Sequence, residues 1–290
     1  MSNFRIVTES TADLSPELIE AFDITVIPMH FSIDEKDYIN FPDNRDLSPK
    51  DFYDRLRNGK SSSTMAVNIG DFEDCFTPIL EAGDDILYLA FSSALSSTYD
   101  TSLLIVKELK ERFPERKIIS INTLSASMGE GLLVCLAAKK RDEGMEIEEL
   151  AQWVTDNRLN VCQWFTVDDL MHLFRGGRVN AVSAHIGSML GIKPVLHVDS
   201  EGRLTPVSKI RGRRQSIEAL EKAMKELSVN PAEQMIFISH GDCLESAELL
   251  ASIIKDSMGT TDIHIAPIGP VVGTHAGPGT VALFFFGTQR

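Results

Sequence analysis

Short apolar runs alternate along the chain with stretches where apolar residues recur every three or four positions. This is the pattern of strands interleaved with amphipathic helices. "FRIV" (4–7) reads as a strand, and "SPELIEAF" (15–22) as a helix with Ser15 as N-cap and Pro16 in its first position. "ITVIPMHFSI" (24–33) reads as a second strand turning at "DEKD", and "SPKDFYDRLRNG" (48–59) repeats the Ser-Pro helix start and stops at Gly59. "DILYLAF" (85–91) is a buried strand leading into "SSALSSTYDTSLLIVKELKERF", helical in its second part. "KIISIN" (117–122) is a strand, and "MGEGLLVCLAAKKRDEG" and "EIEELAQWVTDN" follow as helices. Strand, crossover helix and strand in this order predict a mainly parallel sheet covered on both faces.

The second half mixes motifs. "VCQWFTV" (161–167) is strand-like, and "KPVLHVDSEGRLTPVSKI" (193–210) reads as a hairpin around "SEGR". A helix (213–228), a strand (235–240), a helix (244–257) and the strands "DIHIAPI" and "TVALFFF" complete it. The expected fold is α/β with two α/β domains, 1–160 and 161–290, the first with a mainly parallel sheet and the second with a mixed one.

Charge narrows the function. The 290 residues carry 28 Lys and Arg against 42 Asp and Glu, a net charge of −14. That balance argues against nucleic-acid binding and against adhesion to anionic lipid. Cys75, Cys135, Cys162 and Cys243 are far apart with no C-x-x-C spacing, so no zinc or redox motif is expected and a reduced, cytoplasmic setting fits. The N-terminus lacks the apolar stretch of a signal peptide, and no run of 18 apolar residues predicts membrane insertion.

The sequence contains no H-E-x-x-H, phosphate-loop or G-x-S-x-G motif. "GPGTVA" (277–282) has the letters of a dinucleotide loop, but a Phe-rich strand follows it where a helix is required. More informative is "LAFSSALSST" (89–98), where an apolar strand ends at Ser92 and Ser93 just before a helix. Such a junction gathers N–H and hydroxyl donors for an anion, although N-capping alone accounts for one serine. Thr64, in the polar loop "GKSSSTMAVNIGDF" (59–72), is a further hydroxyl donor, and in a third Ser/Thr-rich junction, "NTLSASMGEG" (122–131), Ser125 or Ser127 reads as the helix cap. In "IGPVVGTHAGPG" (268–279), Thr274 and His275 sit among glycines and prolines that make a stiff, shaped loop, which suits a site better than a mobile turn. Phe284–Phe286 beyond it read either as cavity wall or as sheet core. Arg175 and Arg178 in "FRGGRVNA", and Lys209, Arg211, Arg213 and Arg214 in "KIRGRRQS", are basic clusters, solvated or used to dock an anionic partner.

Taken in order, "ESTADL" (9–14), "SSALSSTY" (92–99), "FRGGRV" (174–179), "GIKPVLHVDSEGRLTPVSKIRGR" (191–213) and "IGPVVGTHAGPG" (268–279) resemble the DegV family over essentially the whole chain. Its characterised members include the fatty-acid-binding subunits of bacterial fatty acid kinase. The resemblance implies a long-chain fatty acid buried between the two domains, with its carboxylate held by Thr64, Ser93 with Ser92 beside it, and His275 with Thr274. It places Arg175 where the family meets its kinase. The chain departs from the family pattern in three places: Glu9 stands for Asp, Met65–Asn68 for Ser-Gln-Pro-Ser, and Ser97 for Gly.

The expected function is a non-enzymatic lipid-binding protein, without cofactor or metal, that presents a fatty acid to an ATP-dependent fatty acid kinase subunit for acyl-phosphate formation. The alternative is an acyl hydrolase or transferase using Ser93 and His275.

Overall fold

The computed structural model describes residues 4–180 and 191–290. Its first domain is built on a parallel sheet of β1 (Phe4–Glu9), β2 (Ile24–Ile27), β6 (Asp85–Ala90) and β7 (Ile118–Asn122), in the order β2-β1-β6-β7. A smaller antiparallel sheet, β4-β3-β5, is formed by β3 (Met29–Ile33), β4 (Lys36–Asn40) and β5 (Ser62–Thr64). The second domain is a mixed sheet in the order β10-β9-β8-β13-β11-β12. Its strands are β8 (Val161–Thr166), β9 (Ile192–Val198), β10 (Leu204–Arg211), β11 (Ile236–His240), β12 (Ile263–Pro267) and β13 (Val281–Phe286).

Three local expectations change. The run 24–33 is two strands in different sheets, because Pro28 has no N–H to continue a ladder and separates β2 from β3. The polar loop 59–72 contains β5, paired with β3 through Phe31↔Thr64. The terminal loop contains a short helix, α10 (Pro270–Ala276), started by Pro270.

The other helices are α1 (Pro16–Ala21), α2 (Pro49–Arg57), α3 (Ile69–Glu81), α4 (Thr98–Arg112), α5 (Met128–Asp142), α6 (Ile147–Asn157), α7 (Met171–Arg175), α8 (Arg213–Leu227) and α9 (Leu244–Met258). Ser15 and Ser48 cap α1 and α2 as their sequences predict. The Met65–Asn68 departure is accommodated locally: Asn68 and Asp71 form a reciprocal capping box that starts α3.

Helix α5 ties the two domains together. Ten of its fifteen residues are buried, including every one from Met128 to Cys135, which a helix covered on a single face cannot achieve. It shares one core with Ile6, Leu87 and Leu89 of the parallel sheet and with Phe165, Phe237 and Phe284 of the mixed sheet. The alternation of β13 settles the Phe-rich strand. Ala282 and Phe284 face this shared core, whereas Val281, Leu283 and Phe285 pack under α8 and α9.

Candidate functional site

An apolar cavity of about 280 Å³ lies where the two domains meet. Met29, Phe91 and Leu95 of the first domain face Phe165, Leu204 and Phe284 of the second across it. Most of its wall is apolar, and the polar residues among the described ones that border it include Thr64, Ser96, Gln163, Arg178 and His275.

Two of these residues meet. Strand β5 carries Thr64, the last turn of α10 carries His275, and Nε2 of His275 lies 2.9 Å from Oγ1 of Thr64. Nδ1 of the imidazole is buried and has no hydrogen-bond partner among the described residues. Burial, reinforced by the Arg178 guanidinium, pushes the His275 pKa down to about 4, so the ring is neutral at pH 7. Gly176 makes the close approach possible, because a Cβ there would overlap Nδ1 of His275. Arg178 donates to the carbonyls of Leu95 (2.9 Å) and Gly176 (2.5 Å), and among the described residues it has no carboxylate partner.

The other residues singled out in the sequence lie around this pair. Thr274 shares a 2.7 Å hydrogen bond with Ser62 and donates to the carbonyl of Pro270, so its hydroxyl faces away from the apolar space. Ser92 is fully buried, and its hydroxyl donates to the carbonyl of Gly202 at the tip of the β9–β10 hairpin. Ser93 accepts from Asn122 Nδ2 at 2.6 Å. Neither serine lines the cavity; Ser96 and Ser97 do. The reason is the tight turn after β6, in which Leu95 and Ser96 donate their N–H groups back to the Ser92 carbonyl. That turn anchors Ser92 and carries Ser96 to the wall. The string "SSALSST" includes the cavity-lining segment without resolving which hydroxyl faces inward. Arg175 is exposed and donates through Nε to the Met171 carbonyl. It borders a second cavity, which shares Thr64, Arg178 and His275 with the first.

Behind the cavity three carboxyl groups are buried. Glu9 accepts from Tyr88 and from the Phe91 N–H, Asp13 from Ser127 and the Gly269 N–H, and Glu130 from Thr8 and Thr11. Desolvation raises all three pKa values, to about 7 for Glu9 and for Asp13. Asp13 holds the Gly269 N–H at the entry to α10 and so fixes the helix that carries His275. Among the described residues no group of His, Cys, Asp and Glu is arranged to hold a metal ion, and the four cysteines are free thiols. No helix among them is long and apolar enough to cross a membrane.

A parallel and a mixed sheet packed on one central helix, with a largely apolar cavity between them that ends at a histidine–threonine pair, define a two-domain α/β protein of the DegV fold. The chain belongs to the DegV family: residues 3–288 match the profile described as "Uncharacterised protein, DegV family". It is 44% identical over its whole length to a DegV domain-containing protein of Clostridium perfringens, covering 99% of that chain. Two solved structures from Thermotoga maritima superpose with a TM-score of 0.86. One is a DegV lipid-binding protein (28% identity, 99% of each chain); the other is a protein reported to reveal a fatty acid binding function (27% identity, 99% of this chain and 100% of that one).

Proposed function

We propose that this protein buries the acyl chain of a long-chain fatty acid in the interdomain cavity, holds its carboxylate at Thr64, Ser96 and His275, and presents it to a separate ATP-dependent kinase subunit. One observation carries the reading: an apolar cavity at whose end a neutral histidine is hydrogen-bonded to a threonine. The two T. maritima proteins support it as relatives of the same fold. A carboxylate leaving water needs several donors. Hydroxyls and a neutral imidazole supply them without adding an unpaired buried charge, and the Arg178 cation favours the anion. The chain needs only apolar walls. At about 0.8 kcal/mol per CH₂, sixteen carbons give roughly 12 kcal/mol, which head-group desolvation and ligand ordering must partly offset.

In the transfer, a carboxylate oxygen attacks the γ-phosphorus of ATP held by the partner. The new O–P bond forms as the bond to the β,γ-bridging oxygen breaks, and ADP leaves. No proton moves, so this chain contributes positioning of an ionised carboxylate and no acid or base. It acts as a carrier, not an enzyme, and works in the cytoplasm. Arg175, exposed on α7 beside the head-group end, is the docking contact for the kinase.

The hydrolase reading has less support. Ser93 is bonded to Asn122 and His275 to Thr64, so serine and histidine do not pair, and Nδ1 of His275 has no hydrogen-bond partner, acidic or otherwise, among the described residues. Native mass spectrometry of the purified protein tests the carrier reading. One fatty acid per chain is expected; an empty protein that turns over acyl esters would overturn it.

A further inference from the structure

Helix α10, which carries His275 in its last turn, follows β12 of the second domain, yet its first turn is held by side chains of the first. Asp13, in the turn after β1, accepts from the Gly269 N–H at 2.8 Å, and Asn40, the last residue of β4, accepts from the Val271 N–H at 3.4 Å. The fit is close: a Cβ on Gly269 would meet Oδ1 of Asp13 at 2.8 Å and Oδ1 of Asn40 at 2.9 Å. The other oxygen of Asp13 accepts from Ser127 at 2.5 Å, and Ser127 both precedes the central helix α5 and borders the acyl cavity. Its hydroxyl lies 3.1 Å from that of Ser239 on β11. One carboxyl group thus joins both domains, the wall of the acyl cavity and the helix of the histidine. Asp13 also borders a cavity of about 90 Å³ whose rim includes the exposed Pro16, so solvent protons reach it.

The two oxygens of Asp13 differ in what they can do on protonation. Oδ1 faces an N–H, which cannot accept, so the proton belongs on Oδ2, towards Ser127. Ser127 then accepts and turns its own hydrogen to Ser239. The Asp13–Ser127–Ser239 chain reverses, and Gly269 is left with a neutral acceptor in place of a charged one. Charge-assisted hydrogen bonds are roughly twice as strong as neutral ones. We propose that Asp13 is a positioning residue for His275: ionised, it holds the entry of α10 and keeps the imidazole on the head group; protonated, it loosens that hold and fatty-acid affinity falls. The inference rests on the carrier reading and adds a pH dependence to it. Desolvation brings the Asp13 pKa up to about 7, so the exchange takes place near neutral pH. The titratable groups around it are Glu9 at the end of β1, Glu130 of α5 and Tyr53 of α2, none of them cationic. Strands β4 and β11 present the uncharged Asn40 and Ser239.

Palmitate binding to the full-length protein, read by calorimetry between about pH 8 and about pH 6, tests this with Asp13→Asn, which has the shape and the hydrogen-bonding pattern of the protonated form. The wild type is expected to lose on the order of fivefold in affinity over this range, the difference between a charged and a neutral acceptor. Asp13→Asn should bind at pH 8 as weakly as the wild type does at pH 6, and its profile should be shallower. It should also melt no lower than the wild type at pH 8, because it removes a desolvated charge. Glu9 and the palmitate carboxyl titrate in both proteins and cancel in the comparison. Gly269→Ala, which crowds both caps off α10 without changing a charge, should weaken palmitate binding as well. Wild-type affinity at pH 8 in either variant, parallel pH profiles, or an Asn variant whose melting temperature and affinity fall together would overturn the positioning role and leave the carrier intact. A wild type that binds no palmitate at either pH would remove the carrier reading and this inference with it.

Discussion

His275 Nε2 lies 2.9 Å from Thr64 Oγ1, although 211 positions separate the two residues. The contact joins β5 of the first domain to α10, which leads into β13 of the second, and it places both polar groups at one end of an apolar space. His275→Ala and Thr64→Val should each weaken fatty-acid binding. Losing a hydrogen bond to a charged group costs about 1.5–3 kcal/mol, so calorimetry should read a ten- to hundredfold loss. Wild-type affinity in both variants would place the head group elsewhere.

Ser96 and Ser93 separate two versions of the site. Ser96 lines the cavity, whereas Ser93 is bonded to Asn122. Ser96→Ala is expected to reduce affinity about tenfold, and Ser93→Ala by less than twofold. The reverse order would mean that the turn after β6 rearranges when ligand binds.

Gly176→Ala tests the packing of the histidine. The glycine has an ordinary helical backbone, so strain is not the issue; its missing Cβ leaves the room that Nδ1 of His275 occupies. The added methyl should push the ring off Thr64, costing about 1–3 kcal/mol of stability together with most of the ligand affinity. Chemical denaturation and ligand titration on the same preparation check both.

Acid should destabilise the ligand-free protein through His275. Its pKa is about 4 when folded against an ordinary value of 6.5, so between these values the unfolded chain binds more protons. Stability is therefore lost as pH falls from about 6.5 towards 4, by up to about 3 kcal/mol at about 1.4 kcal/mol per pKa unit. Glu9 and Asp13, raised to about 7, act with the opposite sign in the same window, because their folded forms hold the extra protons. The difference between wild type and His275→Gln isolates the histidine. Urea melts from pH 7.5 to 4.5 should show a smaller acid loss in the variant, and parallel curves would mean that the ring is already protonated when folded.

Arg175→Ala should separate holding from delivery. The side chain is exposed and makes only a local bond to the Met171 carbonyl, so melting temperature and palmitate affinity should stay at wild type. If it docks the kinase, acyl-phosphate formation in a reconstituted assay should fall about thirtyfold at low partner concentration, the loss expected for an arginine at an interface centre. Equal rates would remove Arg175 from the interface.

Most of the secondary structure follows from the chain alone, because its cues are local. Ser-Pro starts the first two helices, the apolar runs at 85–91 and 117–122 make strands, and "SEGR" closes the hairpin. The order of strands and helices likewise dictates a parallel sheet first and a mixed one after it. The sequence also singles out segments that line the cavity: the Ser/Thr-rich strand end and the Gly-Pro-framed histidine. What it leaves open depends on direction and on partners distant in the chain. Pro28 splits an apolar run between two sheets, a choice made by where β3 finds β4 and β5. Ser92, Ser93 and Ser96 are chemically alike, and only the turn held by the Ser92 carbonyl determines that Ser96 faces the cavity. Arg178 reads as one of several basic residues until Leu95 and Gly176 orient it beside His275. The depressed pKa of His275 is likewise a tertiary property, because desolvation and a neighbouring guanidinium arise only when the two domains close around the ring.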